Sequence, residues 1–243
     1  MSVVSLKQVS RIYPMDDVKV VALNDVSLDI APGRFTVVSG QSGSGKTTLL
    51  NIIGCIDKPD QGSVTIAGTP VAQLSDDALA EFRAKNIGYI FQNFNLLPVL
   101  TAYENVEYPL ILAKVPAAQR RIRVMELLRA VGLEDKHRQT PGRLSGGQRQ
   151  RVAIARALAT HPKIVLADEP TANLDSATGA AIIELMRKMQ RELGVSFIFS
   201  SHDQMVLGAA DEIFTIRDGK VLSGRAHAAA PVRAHNDHSE ISA

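Results

Sequence analysis

The chain has 243 residues, 45% hydrophobic and 21% charged, with a formal net charge of +2. This is an ordinary globular composition, enough for one large domain or a core with an inserted lobe. Charge so near neutral gives no electrostatic case for nucleic acid. No stretch approaches the ~18 consecutive apolar residues of a membrane span, and the N-terminus lacks a signal peptide's basic start and apolar core. Cys55 is the single cysteine. It excludes an intrachain disulfide and fits a reducing cytosol. Its neighbours Ile52, Ile53 and Ile56 predict a buried, unreactive thiol.

In chain order, residues 3–9 and 20–30 read as alternating or apolar strands. Ala31-Pro32-Gly33 turns the chain into a short buried strand over 34–39. Residues 48–53 read as the first turns of a helix. Residues 62–71 read as a strand near turns, marked by Gly62 and Gly68. The stretch from about 75 to 143 is mostly helical in pattern. Asp76 and Asp77 open one helix, as acids at an N-terminus should. Residues 119–131 form a basic amphipathic helix in which Ile122, Met125 and Leu128 recur at three-residue steps, with Val131 a fourth candidate. Residues 164–167 return to an apolar strand, 177–193 read as a long helix, and 195–199 as another buried strand. Residues 213–217 and 220–222, joined by Asp218-Gly219, read as a terminal hairpin. The expected fold class is α/β: a strand and helix core interrupted by a helical lobe. From about residue 226 the composition turns to Ala, His and polar residues, which predicts a solvated tail. The spacing of its histidines, His227, His235 and His238, matches no metal site.

Gly40-Gln41-Ser42-Gly43-Ser44-Gly45-Lys46-Thr47 fits the phosphate-binding loop G-x-x-x-x-G-K-[ST], between a strand and a helix that begins at Thr48. Glycine-rich turns let successive backbone N–H groups point at an anion, and the helix start adds its positive dipole end. Lys46 can reach β- and γ-phosphates, and the Thr47 hydroxyl can ligate Mg²⁺. The loop predicts a nucleoside triphosphate without saying what its energy drives.

A second such element lies at Leu144-Ser145-Gly146-Gly147-Gln148. Ser145 is a good N-cap, two glycines allow close backbone approach, and the next helix aims its positive end at an anion.

In these two elements the chain resembles the nucleotide-binding subunit of an ATP-binding-cassette (ABC) transporter. LSGGQ is that family's signature, and the match runs from about residue 3 to 224. The resemblance implies a P-loop NTPase cassette over residues 1–225. Its parts would be a RecA-like core sheet, an N-terminal antiparallel β subdomain, and an α-helical subdomain inserted at about 93–160. It also implies that the signature of one copy completes the ATP site of a second. A head-to-tail pair satisfies both loops at two equivalent sites, a closed two-fold arrangement.

The resemblance assigns the remaining site. Residues 164–169 resemble the Walker B strand. Asp168 emerges at its carboxyl end, where open α/β sheets bind ligands, to serve Mg²⁺, while Glu169 orients or deprotonates the attacking water. Gln92 matches the Q-loop glutamine that touches Mg²⁺ and links core to helical lobe. His202 matches the switch histidine near the γ-phosphate, Asp175 the D-loop aspartate facing the dimer partner, and Tyr13 the aromatic ring stacked on adenine. The implied catalytic set is Glu169, His202 and Lys46, with ATP and Mg²⁺ as cofactors.

The segments 91–106 and 51–59 resemble the lipoprotein-releasing and macrolide-export branch. That branch implies a dimeric ATPase peripheral to the cytoplasmic face of the membrane, driving separate permease subunits. Apolar residues after Gln92 are expected to line a groove for a permease coupling helix. The alternative is an ABC ATPase serving a non-transport complex, in cell-division signalling or on ribosomes or DNA. The ribosome and DNA types commonly carry two cassettes or a coiled-coil insertion, and neither is present.

Overall fold

The computed structural model describes residues 2–15 and 18–226. The solvated tail expected beyond, with its histidines, lies outside the described residues. Strands Val4–Met15 (β1) and Val18–Ile30 (β2) pair antiparallel, and β1 also pairs antiparallel with Gln61–Ile66 (β4), which carries the short Thr69–Pro70 (β5). This gives one sheet of order β2-β1-β4-β5. Val4, Leu6, Val9, Leu23, Val26 and Ile30 are buried on it.

The second sheet holds the chemistry. Phe35–Ser39 (β3), Ile87–Ile90 (β6), Ile164–Asp168 (β7) and Ser196–Ser200 (β8) run parallel, with Glu212–Arg217 (β9) beside β3 and Lys220–Ala226 (β10) closing a hairpin at the edge. The order is β10-β9-β3-β8-β7-β6. Its central strands are buried on both faces, as the near-continuous apolar runs require. Alternation splits them between two cores. Val37, Val165, Ala167, Phe197 and Phe199 face one cluster. Val38, Ile164, Leu166 and Ile198 join the other, with the antiparallel sheet and the first helix, Lys46–Ile53 (α1).

Helix Asp76–Asn86 (α2) starts at the Ser75 cap, which accepts from the Ala78 N–H, and carries Asp76 and Asp77 in its first turn. It runs straight into β6, a strand absent from the helical reading of 75–143. Four residues with no turn signal before them cannot be told from helix by periodicity. Pairing with β7 decides the matter.

Between β6 and β7 the chain forms Ala102–Leu112 (α3), Ala117–Ala130 (α4) and Gly146–Ala157 (α5). The apolar face of α4 differs from the expected one. Val124, Leu127, Leu128 and Val131 are buried, whereas Ile122 is 63% exposed. A strict three-residue step drifts around a helix of 3.6 residues per turn, so Ile122 falls off the packed stripe. Helix Ser176–Leu193 (α6) precedes β8, and Gln204–Gly208 (α7) precedes β9.

Candidate functional site

The register of the parallel strands builds the site. Asp168 pairs with Ser200, Val38 with Ser200, and Ile90 with Ala167. The strands therefore end together, and the segments leaving them converge. The Gly40 loop leaves β3, His202 lies just past β8, Glu169 just past β7, and Gln92 just past β6. These segments line one cavity of about 890 Å³ with Lys46, Thr47, Thr48 and Asp168. It opens at the carboxyl edge of the sheet, the usual ligand position in open α/β folds.

The loop is shaped for an anion. Gly45, at φ 104°, is the residue before α1, and no side chain caps this helix. A Cβ on Gly45 would lie 2.5 Å from the Ala22 carbonyl oxygen. The first amides of α1 are thus left for a ligand, together with the positive end of its dipole. Lys46 is buried, and its Nζ donates to the Gly40 and Gln41 carbonyls at 2.8 and 2.9 Å. The ammonium is held over the loop that would carry the phosphates.

The Thr47 hydroxyl donates to Asp168 Oδ2 at 3.4 Å, and the other Asp168 oxygen accepts from the Ser200 hydroxyl. Beside it, Glu169 adopts a left-handed backbone at φ 44°. Its N–H donates to the Ser200 carbonyl at 3.1 Å. Its carboxylate meets His202 Nδ1 at 3.0 Å and accepts from the Ser201 hydroxyl at 3.4 Å. The His202 ring is 76% exposed while Glu169 is 17% exposed. The acid is held in the wall and the imidazole projects into the opening.

Hard oxygen donors from Thr47, Asp168 and Gln92 share the cavity with the Lys46 ammonium. That donor set fits a magnesium ion with a phosphate chain.

Leu144, Ser145, Gly146, Gly147 and Gln148 do not line the cavity. Ser145 caps α5 through a capping box with Gln148, Gln148 N–H to Ser145 Oγ at 3.3 Å and Ser145 N–H to Gln148 Oε1 at 3.0 Å. Gly147 packs so closely on α6 that a Cβ would lie 2.6 Å from Thr178 Cγ2. Asp175 caps α6, accepting from the Thr178 N–H at 2.9 Å; the Thr178 hydroxyl first, and that N–H with it, hold its carboxyl below the usual carboxylate range. The signature and Asp175 form a surface of their own, separate from the cavity of the same chain.

Tyr13 also stands off the cavity. Its hydroxyl donates to Asp57 at 2.5 Å, and the Arg11 guanidinium lies 4.7 Å above its ring. Val20, Val21 and Ala22 line the wall instead. Residues the motifs did not mark also shape the site. Ser200 and Ser201 hold both acids, and Asn173 donates to the Gln92 carbonyl at 3.0 Å and Asn93 Oδ1 at 3.1 Å. The available signal was position, since the serines end a fully buried strand just before His202.

Comparison with known proteins agrees with this construction. The family model described as ABC transporter matches residues 23–172. An uncharacterized ABC transporter ATP-binding protein of Thermotoga maritima is 49% identical, over 90% of this chain and 93% of that one. The macrolide export ATP-binding/permease protein MacB of Sodalis glossinidius is 46% identical over 90% of this chain, which spans 34% of its length. Among solved structures, the dimeric post-hydrolysis state of the ATP-binding cassette MJ0796, bound to ADP and Pi, superposes with a TM-score of 0.84 at 45% identity, covering 92% of this chain and 98% of that one. CbiO1 of Clostridium perfringens, part of the transporter complex cbiONQ, gives 0.83 at 30% identity, covering 92% and 88%. The chain belongs to the ABC transporter family, and its fold is that of the family's ATP-binding cassette.

Proposed function

We propose that the chain is the ATP-hydrolysing subunit of an export-type or lipoprotein-release-type transporter and works as a pair of copies. The observation that carries this reading is the single cavity in which the phosphate loop, Asp168, Glu169, His202 and Gln92 meet. Phosphoryl transfer needs positioning and charge neutralisation more than covalent chemistry. The α1 amides and Lys46 bind the β- and γ-phosphates. Thr47, Asp168 and Gln92 hold Mg²⁺, which supplies charge neutralisation when bound. Glu169 orients the attacking water and accepts its proton, and His202 donates to the γ-phosphate. Leu144 to Gln148 and Asp175 reach the nucleotide of the second copy. The dimeric ADP-bound relative supports that pairing.

The partner is an integral-membrane permease, with this subunit peripheral on the cytoplasmic face. No helix among the described residues is long and apolar enough to cross a membrane. A groove of about 850 Å³ between α2, β6 and the ends of α3 and α5 is lined by Ile87, Tyr89, Phe91, Tyr108, Leu112 and others. It suits a short amphipathic helix. No residue of the segment just after Gln92, expected to line a coupling-helix groove, lines this one; Phe91 lies before that glutamine. Val99 is 84% exposed, and Leu97 and Leu100 lie outside the groove. The reading is tested by hydrolysis of MgATP by the purified chain and by its co-purification with a membrane protein. Absence of hydrolysis, or a chain that never associates with a permease, sinks it.

A further inference from the structure

Gln150 lies just past the signature, in the second turn of α5, and is fully buried. Its Nε2 donates to the Pro170 carbonyl at 2.7 Å. That acceptor fixes which way the amide points. Oε1 is then left without a partner among the described residues. A buried, unpaired amide oxygen is a net cost, which an apolar side chain of the same size would avoid. The cost is offset only by what the donor side does.

What the donor holds is the turn that carries Glu169. A left-handed φ of 44° is rare for any residue with a side chain, and the proline at 170 restricts Glu169 further. Backbone of this kind is strained and persists only where its surroundings over-determine it. On the amide side, the Ser200 carbonyl and hydroxyl accept from the Glu169 N–H at 3.1 and 3.3 Å. On the carbonyl side, the Ala172 N–H donates to the Glu169 carbonyl at 3.2 Å, and Gln150 grips the next one, Pro170. Gln150 is the only one of these partners that reaches the turn from the helical block rather than from β8 or the turn itself. Pro170, which has no N–H, offers that helix its carbonyl alone.

The geometry points to Gln150 as a positioning residue for hydrolysis. Its hydrogen bond to Pro170 keeps the strained Glu169 turn in place, and so keeps the Glu169 carboxylate aimed into the cavity. This rests on Glu169 acting on the attacking water, as proposed above. It adds a residue outside the nucleotide cavity, acting through another.

Gln150→Met keeps the volume and removes the donor. Its kcat for ATP falls about tenfold or more, the scale of loss from a misplaced reacting group. KM changes less than about twofold, since the phosphate loop is untouched. The melting temperature changes little, because loss of the unpaired Oε1 offsets the Pro170 carbonyl left without its donor. A merely structural glutamine would show the reverse, lower thermal stability with kcat per folded molecule intact. In a Glu169→Gln background, Gln150→Met adds less than about twofold further loss, because both act through one carboxylate. Wild-type kcat in folded Gln150→Met, or an equal additional loss in the Glu169→Gln background, overturns the proposal. Gln150→Leu provides a second donor-free version. If both variants fail to fold, Gln150 is a stability residue and the proposal is likewise overturned. Wild-type hydrolysis by Glu169→Gln alone would instead remove the Glu169 reading, a distinguishable outcome.

Discussion

His202 Nδ1 lies 3.0 Å from Glu169 Oε1, across the ends of two neighbouring parallel strands. The contact joins the exposed imidazole to the shielded acid. An acid that must handle water and a histidine that must reach the γ-phosphate are thereby held to one geometry. Glu169→Gln keeps the shape and removes the base, so ATP binding persists while hydrolysis drops roughly 10²–10⁴-fold. His202→Ala lowers kcat about 10²-fold, the usual loss on deleting one charge-stabilising donor. Single-turnover measurements on both variants check this. Additive losses in the double variant would show that the contact is incidental.

Gly147 predicts a sharper effect from a smaller change. A methyl group there meets Thr178 Cγ2 at 2.6 Å, inside contact distance. Gly147→Ala pushes the start of α5 off the start of α6. Hydrolysis should fall more than about tenfold through misalignment. The lone chain's ATP affinity should stay within about twofold, because the cavity is elsewhere. Gly147→Ala combined with Thr178→Ser, which removes the obstructing methyl, should recover most of the activity. No recovery would show that the glycine acts otherwise.

Arg187 and Asp211 form a bidentate pair at 2.6 and 2.8 Å, each side chain about 15% exposed, with the guanidinium 4.6 Å above the Phe35 ring. Burial acts to raise the Asp211 carboxyl. Hydrogen bonds from Arg187 and the Phe35 N–H outweigh it and hold the group below the usual carboxylate range. A depressed folded pKa means stability that is fully present above the unfolded value of about 3.9 and lost as pH falls through the folded one. Asp211→Asn should cost about 2 kcal/mol at neutral pH, between the surface and buried limits. Urea unfolding should show the gap from wild type narrowing below about pH 4. A pH-independent gap would contradict the assignment.

Burial pushes the Cys55 thiol up to about 11, only partly opposed by Arg83. A thiol-specific reagent at pH 8 should label the native chain slowly and the unfolded chain at the free-thiol rate. Equal rates would show that the thiol is reached in the native state.

Much of this was legible in the sequence because the chemistry needs fixed spacings. The phosphate loop and Leu144 to Gln148 are contiguous, and a buried strand ahead of Asp168 and Glu169 announces itself by its apolar run. The β6 strand was not legible, since four residues carry no period of their own. Nor was the outward face of Ile122, because a three-residue step and a true helical stripe coincide for only a turn or two. Ser200, Ser201, Asn173 and Gln150 escaped for another reason. Their roles exist only once β7, β8 and α5 are packed side by side.

The central claim is that two copies share each ATP. Light scattering after size exclusion tests it on Glu169→Gln with MgATP, against the same variant carrying Ser145→Arg. The shared site predicts a dimer for the first. The second should stay monomeric while still binding ATP, since its phosphate loop is intact and only the signature surface is blocked. A monomeric Glu169→Gln, or a dimer that survives Ser145→Arg, would contradict the account.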